Sequence, residues 1–438
     1  MIYTKLTFFN NHLRKRKERI KIHLKYSKDN FSITLLTVIL ILSGCNQKAA
    51  IQVRSPIIVN PGIEILFNQY IDELQGKTIG LVINHTSANK KGVNIVDKFM
   101  EYDDITIKAI FAPEHGYRGV QMGRIVDETD PVSGAKVYSL HGDLYKPTPE
   151  MLEGIDVLIF DMQSVGVKFY TYISTMGRAM QAAAENGLEY WVLDRPNPIT
   201  GTRVDGTIQE RETVSNVGLY PIPVQYGLTM GELANMVVGE EWMEFPEGFQ
   251  PRIIKMTNWQ RDRWYDETDI PWIGPSPNMP LLETAIVYPG MCFFEVRDFS
   301  IKGNGRPHPF IWMGNPWLDG NKLATELNKL NIPGVDFTPI EFTPTSGSFE
   351  GKKLGGIQVN IIDRNELEPV KLGVYIMHTI LQIHPDEYEL TTKVDRLAGT
   401  ERLRNALNEG QSPEQIFESW QQPLEEFKEL RTKYFLYQ

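Results

Sequence analysis

The sequence predicts an α/β fold: a parallel sheet of βαβ units, followed by a second, smaller α+β domain. Three observations carry this. Four short apolar runs, Thr78 to Ile83, Ile105 to Ala112, Asp156 to Asp161 and Glu189 to Asp194, recur within the first half of the chain. They are rich in Val, Ile, Leu and Phe and are bounded by Gly and polar residues, as strands buried on both faces are. Between the third and fourth lies a helical stretch, Tyr172 to Asn186, with Gly187 as its stop signal. Past about Thr202 the pattern changes to mixed helix and strand signals.

The chain opens with a basic leader. Nine of its 45 Lys and Arg, against two of its 55 Asp and Glu, fall before residue 31. An apolar run from Phe31 to Leu42 follows. A membrane-spanning helix needs roughly 20 apolar residues, so this run has the length of a signal-peptide core. It ends in Leu42-Ser43-Gly44-Cys45, which resembles a lipobox, with Cys45 as the lipidated residue of an extracytoplasmic, membrane-anchored lipoprotein, periplasmic or on the cell surface. The expected organisation is a signal peptide over 1–44, a tether over 45–60, the parallel-sheet domain over 61–201 and the α+β domain over 202–438, with a cleft between the last two. Without the leader 36 basic residues face 53 acidic ones, a net charge of −17. So acidic a body does not suit nucleic acid, whose phosphates are neutralised by Lys and Arg. With Cys45 taken by lipid, Cys292 stands alone and no disulfide can staple the fold.

Later elements follow from local signals. Thr229 to Glu240 begins TMGE, the spacing of a capping box. Alternating patterns predict strands over Gly334 to Phe342 and Leu354 to Ile362. Helices are expected over Val370 to Ile383, Pro413 to Trp420 and Leu424 to Lys433.

Chemistry-bearing residues collect at the ends of the second, third and fourth strands: Glu114-His115, Asp161 with Gln163, and Asp194-Arg195. Ligands of open parallel sheets bind outside the carboxyl ends of the strands, so these ends are expected to share one cleft. Taken singly, each acid could equally serve as a helix cap or turn residue. FAPEHGYRG, Phe111 to Gly119, packs Pro, Glu, His, Gly and Arg118 into one shaped loop, with Glu114 presented as a general acid. DMQSVGVKFYTY, Asp161 to Tyr172, offers Gln163 for hydroxyl groups and Tyr170 as an apolar face for a sugar ring. DRPNP (Asp194 to Pro198) and GPSPNMP (Gly274 to Pro280, with Asn278) are rigid loops. YPGMCFFE brings Glu295, and KGNGRP brings Arg306. Gly-x-Gly alone is a weak phosphate signal and lacks the spacing of a nucleotide fingerprint; no nucleotide is expected. His85, His115, Asp161 and Asp194 could gather round a metal but show no ligand spacing, and no metal or other cofactor is expected.

Taken together, GLVINHTSANKKG, FAPEHGYRG, DMQSVGVKFYTYISTM, DRPNP, PSPNMP and YPGMCFFE resemble, in this order, the exo-β-N-acetylmuramidases, glycoside hydrolase family 171, long catalogued as a domain of unknown function. The resemblance runs from about Ile63 to Gln438. It implies a Rossmann-like domain with a smaller C-terminal domain, and removal of N-acetylmuramic acid from the non-reducing ends of peptidoglycan fragments. It implies Glu114 as acid and Glu295, then Asp161, as second carboxylate. His115 and Gln163 would hold hydroxyls, and Arg118, Arg195 and Arg306 the lactyl carboxylate. Two departures stand out. Where the family reads Asp-Val-Gly followed shortly by Arg, this chain has Ser164-Val165-Gly166 and then Lys168; where it reads Gly-Thr-Asn, this chain has Val296-Arg297-Asp298. Lys in place of Arg loses the planar fork that grips a carboxylate. A glycan-binding protein without chemistry, and a metal-dependent hydrolase, are the alternative readings.

Overall fold

The computed structural model describes residues 54–117, 128–295, 299–302 and 308–438. The leader, Cys45, Arg118, Arg306 and the Val296-Arg297-Asp298 departure lie outside them. In chain order the strands are β1 (Thr78–Ile83), β2 (Thr106–Ala112), β3 (Glu128–Thr129), β4 (Lys136–Ser139), β5 (Val157–Asp161), β6 (Glu189–Leu193), β7 (Asp205–Ile208), β8 (Pro223–Gln225), β9 (Arg252–Ile254), β10 (Trp312–Asn315), β11 (Val335–Phe342) and β12 (Leu354–Ile361). The helices are α1 (Gly62–Ile65), α2 (Ile95–Phe99), α3 (Pro149–Leu152), α4 (Tyr172–Glu185), α5 (Met230–Gly239), α6 (Leu282–Met291), α7 (Gly320–Lys329), α8 (Pro369–Ile383), α9 (Lys393–Ala398), α10 (Arg402–Asn408), α11 (Pro413–Ser419) and α12 (Gln421–Arg431).

The large sheet has the order β3-β4-β2-β1-β5-β6-β9. All its pairs are parallel except β3 with β4. The parallel strands follow chain order outward from β1 in both directions, so the sheet reverses between β1 and β5, the kind of point where open α/β sheets hold ligands. In β1, β5 and β6 side chains alternate between two cores, as a period of two demands. Ile79, Leu81 and Ile83 of β1, Val157 and Ile159 of β5, and Trp191 and Leu193 of β6 pack on one face. Val82, Leu158, Phe160, Tyr190 and Val192 pack on the other. This second core continues without a break into the C-terminal part, through Met313, Ile357, Val370 and Ile380. There β10, β12 and β11 form an antiparallel sheet, making the smaller α+β part. The fold is thus a Rossmann-like α/β sheet with a second, smaller C-terminal domain.

Local chemistry explains several boundaries. Thr229 caps α5 with the reciprocal Thr229–Glu232 box that TMGE predicts. Gly187 ends the α4 turn with φ 71°. One expectation needs correction: β9, beyond residue 201, joins the large sheet beside β6. The sheet therefore recruits chain past the change in pattern at Thr202. A three-residue strand carries too little alternation to be seen in sequence.

Asp194, just after β6, illustrates how distant parts of the chain are tied. It is wholly buried. Its carboxylate accepts hydrogen bonds from the Thr229 hydroxyl (2.7 Å), the Gly231 amide (2.9 Å) and the Tyr437 hydroxyl (2.6 Å). Burial pushes its pKa up to about 6 against those donors. A carboxyl raised from about 3.9 in the unfolded chain favours folding when protonated. That stability is complete below about pH 4 and is lost as pH rises through 6. Tyr437 serves the charged form and also accepts the Met256 amide at 3.0 Å, so Tyr437→Phe should cost about 1–2 kcal/mol more near pH 7.5 than near pH 5. Calorimetric melting at both pH values checks this; an equal drop at both would mean that Tyr437 acts through packing and the Met256 amide, not through Asp194.

Candidate active site

At the carboxyl edge of β2 and β5 opens a cavity of about 590 Å³, a size typical of small-ligand sites. The loop after β2 supplies Glu114 and His115. His115 has φ 74° and Gly116 φ 75°. A non-glycine residue in the left-handed region carries strain of order 1–3 kcal/mol, which clusters at functional sites. The loop after β5 supplies Phe169, Tyr170 and Thr171, and Tyr172 opens α4. The two loops meet where the Thr171 hydroxyl donates to Glu114 Oε2 (3.0 Å).

Opposite them, α6 runs into a tight turn, Cys292–Glu295, that brings Glu295 to the cavity. Ser276, Asn278 and Met279 of the proline-rich loop close one side. That loop is pinned by the Tyr172 hydroxyl, which donates to the Pro275 carbonyl at 2.5 Å. Tyr170, Tyr172, Tyr288 and Phe310 form a continuous aromatic wall of edge-on contacts, with centroids 4.7–6.2 Å apart. Burial pushes the Tyr170, Tyr172 and Tyr288 phenols up, so they stay neutral. The last lining residues, Lys393, Arg396 and Leu397, come from α9.

The two cavity carboxylates sit in unequal settings. Glu114 receives a neutral hydroxyl. Glu295 forms an ion pair with Lys302, and the Cys292 thiol lies 3.5 Å from its other oxygen. Burial works against the charge on Lys302, but Glu295, with a smaller contribution from Glu114, outweighs it and raises its pKa.

The structure brings Glu114, His115, Tyr170, Asn278 and Glu295 together round one cavity. It does not bring Asp161, Gln163, Asp194 or Arg195 there. Asp161 and Arg195 are 0% and 3% exposed and form a bidentate ion pair, Nε–Oδ1 2.5 Å and Nη2–Oδ2 2.8 Å. Arg195 also donates to the Ala88 carbonyl. These interactions lock the loops after β1, β5 and β6 to one another. Gln163 donates to the Ser164 and Pro196 carbonyls, 2.8 Å each. Asp194 accepts from the α5 cap, the helix-capping alternative. For these four residues the expectation of a shared cleft is corrected: each strand-end polar group finds its partner in a neighbouring loop and is covered.

Lys168, the departure from the family Arg, faces inward too. It is 1% exposed and its ammonium donates to Gln209 Oε1 (3.1 Å) and to the Ala398 carbonyl (2.6 Å). It holds the end of α9 and grips no carboxylate. Among the described residues no group of three or more His, Cys, Asp and Glu is placed to hold a metal ion; His85 Nε2 bonds the Gly274 carbonyl at 2.7 Å. The charged cavity residues that sequence reasoning missed are Lys302, Lys393 and Arg396. Lys302 stood in the KGNGRP motif, read there for its glycines and Arg306. The two on α9 belong to a six-residue helix with no motif around it.

Two family descriptions cover most of this chain. "Exo-beta-N-acetylmuramidase NamZ, N-terminal" matches residues 79–283, and "Exo-beta-N-acetylmuramidase NamZ, C-terminal" matches residues 286–437. The chain belongs to the exo-β-N-acetylmuramidase family. It is 41% identical, over 386 residues, to the peptidoglycan β-N-acetylmuramidase NamZ of Bacillus subtilis strain 168, covering 86% of this chain and 91% of that protein. Two crystal structures from Bacteroides fragilis, each described as a DUF1343 family protein, share the fold. One has a TM-score of 0.81 at 36% identity, covering 87% of this chain and 100% of that one. The other has a TM-score of 0.70 at 31% identity, covering 87% and 99%. Glu114 and Glu295 fall one in each matched part of the exo-β-N-acetylmuramidase, so the cavity is built jointly by both.

Proposed function

We propose that this protein is an exo-acting glycoside hydrolase that releases N-acetylmuramic acid from the non-reducing ends of peptidoglycan fragments. The observation that carries the reading is the pairing of two carboxylates in unequal settings on one aromatic-walled cavity, in a member of the exo-β-N-acetylmuramidase family. Glycoside cleavage needs such a pair. Glu114 is the general acid that protonates the leaving oxygen, steadied by Thr171. Glu295, ion-paired with Lys302, is the second carboxylate, which acts on the anomeric carbon, on an attacking water or on the acetamido group. The aromatic wall takes the apolar face of the sugar, and Asn278 and His115 are within the cavity for its hydroxyl and amide groups. A chromogenic aryl β-N-acetylmuramide tests the reading: steady release of the aryl alcohol is expected, and binding without release over a broad pH range would make the protein a glycan-binding module instead.

We further propose that the body is held at a membrane, outside the cytoplasm, by lipid on Cys45. The support is the order of basic flank, apolar run, small residues and cysteine in the sequence. Cys45→Ser should accumulate an unprocessed precursor, seen as a larger band in membrane fractions. Mass spectrometry finding an unmodified thiol on a mature Cys45 would overturn the anchor.

A further inference from the structure

The cavity holds more positive charge than its carboxylates use. Lys302 is engaged by Glu295. Lys393 and Arg396 line the same cavity, are exposed, and have no ion pair among the described residues. Three residues apart on α9, they share a face, and Leu397 extends that face toward the cavity. Two acids close to them in sequence, Asp395 and Glu401, are committed to Arg404. Asp395 receives Arg404 at 3.0 Å on each oxygen, and Glu401 lies 3.6 Å from the same guanidinium. The charge on α9 is therefore turned toward the cavity and left open.

The helix that carries it is fixed from the far side. Its last carbonyl, Ala398, accepts the buried Lys168 ammonium (2.6 Å) and the Thr207 hydroxyl (2.5 Å). The next carbonyl, Gly399, accepts the Thr213 hydroxyl (2.6 Å) and the Glu210 amide (2.7 Å). Gly399 takes the left-handed conformation, φ 77°, that ends the helix. Any side chain there would collide with Lys168 Nζ. Two cations on a pinned element lose less freedom on binding than cations on a loose loop.

An acidic protein repels an anion at long range and must meet it with local positive groups. The proposed substrate has one feature that needs them: the carboxylate of the lactyl ether, which separates muramic acid from glucosamine. We infer that Lys393 and Arg396 are the specificity-determining residues that bind the free lactyl carboxylate, with the Arg396 fork as the main contact and Lys393 as the flanking charge. This rests on the hydrolase reading above. It gives the charged groups of the cavity two purposes: carboxylates for the scissile bond and the α9 cations for the lactyl group. It also takes the place of the sequence-based assignment of that group to Arg195, which is buried against Asp161.

The test compares kcat/KM on an aryl β-N-acetylmuramide with kcat/KM on the same glycoside whose lactyl carboxylate is a primary amide. A charged hydrogen bond is worth roughly tenfold or more. Arg396→Ala should lower the acid-over-amide preference about tenfold, and Arg396→Ala with Lys393→Ala by up to about a hundredfold, chiefly through KM. Arg396→Lys should recover part of it. Retention of the wild-type preference in the double variant, or an equal loss on both substrates, would overturn the assignment. If the wild type cleaves neither glycoside, calorimetric titration with N-acetylmuramic acid decides. Binding by the wild type that disappears in the double variant upholds the carboxylate site while ending the hydrolase reading; no binding by the wild type overturns both.

Discussion

Replacing Glu114 by Gln should slow release of N-acetylmuramic acid from a muramic acid-containing disaccharide by about 10²–10⁴-fold, the range a positioned general acid contributes. The melting temperature should stay where it is. Gln occupies the same volume and can still accept the Thr171 hydroxyl that reaches Glu114 Oε2, so the loop keeps its anchor. What it lacks is the proton for the leaving oxygen. That difference makes the experiment diagnostic. A nitrophenolate leaves without protonation, so Glu114→Gln should lose far less on a nitrophenyl muramide than on the disaccharide. Glu295→Gln, which breaks the ion pair with Lys302, should lose on both. Equal losses for Glu114→Gln on the two substrates would reassign it from acid to binding group. Wild-type rates would remove it from the chemistry altogether.

Asp161→Ala should destabilise the protein by about 3–5 kcal/mol, because it strands the guanidinium of Arg195 in the interior. Burial disfavours the charge on both groups and pushes the Asp161 carboxyl up, while the bidentate contact with Arg195 opposes that push and holds the Arg195 proton. The paired replacement Asp161→Leu with Arg195→Met should recover much of the loss, since removing both charges removes both desolvation costs. Chemical denaturation of the three proteins measures this. Residual activity, taken where each variant is still folded, separates structure from chemistry. Asp161→Asn abolishing turnover at wild-type stability would contradict the burial of Asp161 away from the cavity and restore it as a catalytic carboxylate.

Much of the architecture was legible because it is written in short-range chemistry. TIGLVI, DVLIFD and the TMGE box predicted β1, β5 and the start of α5 to within a residue. An apolar run or a capping box acts over a few residues, and its signal is complete within the window that contains it. FAPEHG announced a functional loop for the same reason: a proline, a glycine, a carboxyl and an imidazole are compressed into six positions, and the backbone strain at His115 is the structural counterpart of that compression.

The fate of each strand-end acid was a different kind of question. Glu114, Asp161 and Asp194 all follow buried strands and look alike in sequence. Which of them meets solvent depends on what covers the strand end. Asp161 is covered by Arg195, 34 residues on, and Asp194 by Tyr437, 243 residues on. Glu114 stays half-buried on the cavity, with only the neutral Thr171 hydroxyl on its Oε2. The same holds for charge. Lys393 and Arg396 look like solvated helix residues until α9 is seen pinned by Lys168 with one face on the cavity. The sequence by itself determined the strands, the caps and the loop that carries the acid, because those rest on contacts between chain neighbours. Only the tertiary structure decided which polar side chains satisfy one another and which remain open to a ligand, because burial and pairing depend on groups that the chain brings together from tens to hundreds of residues apart.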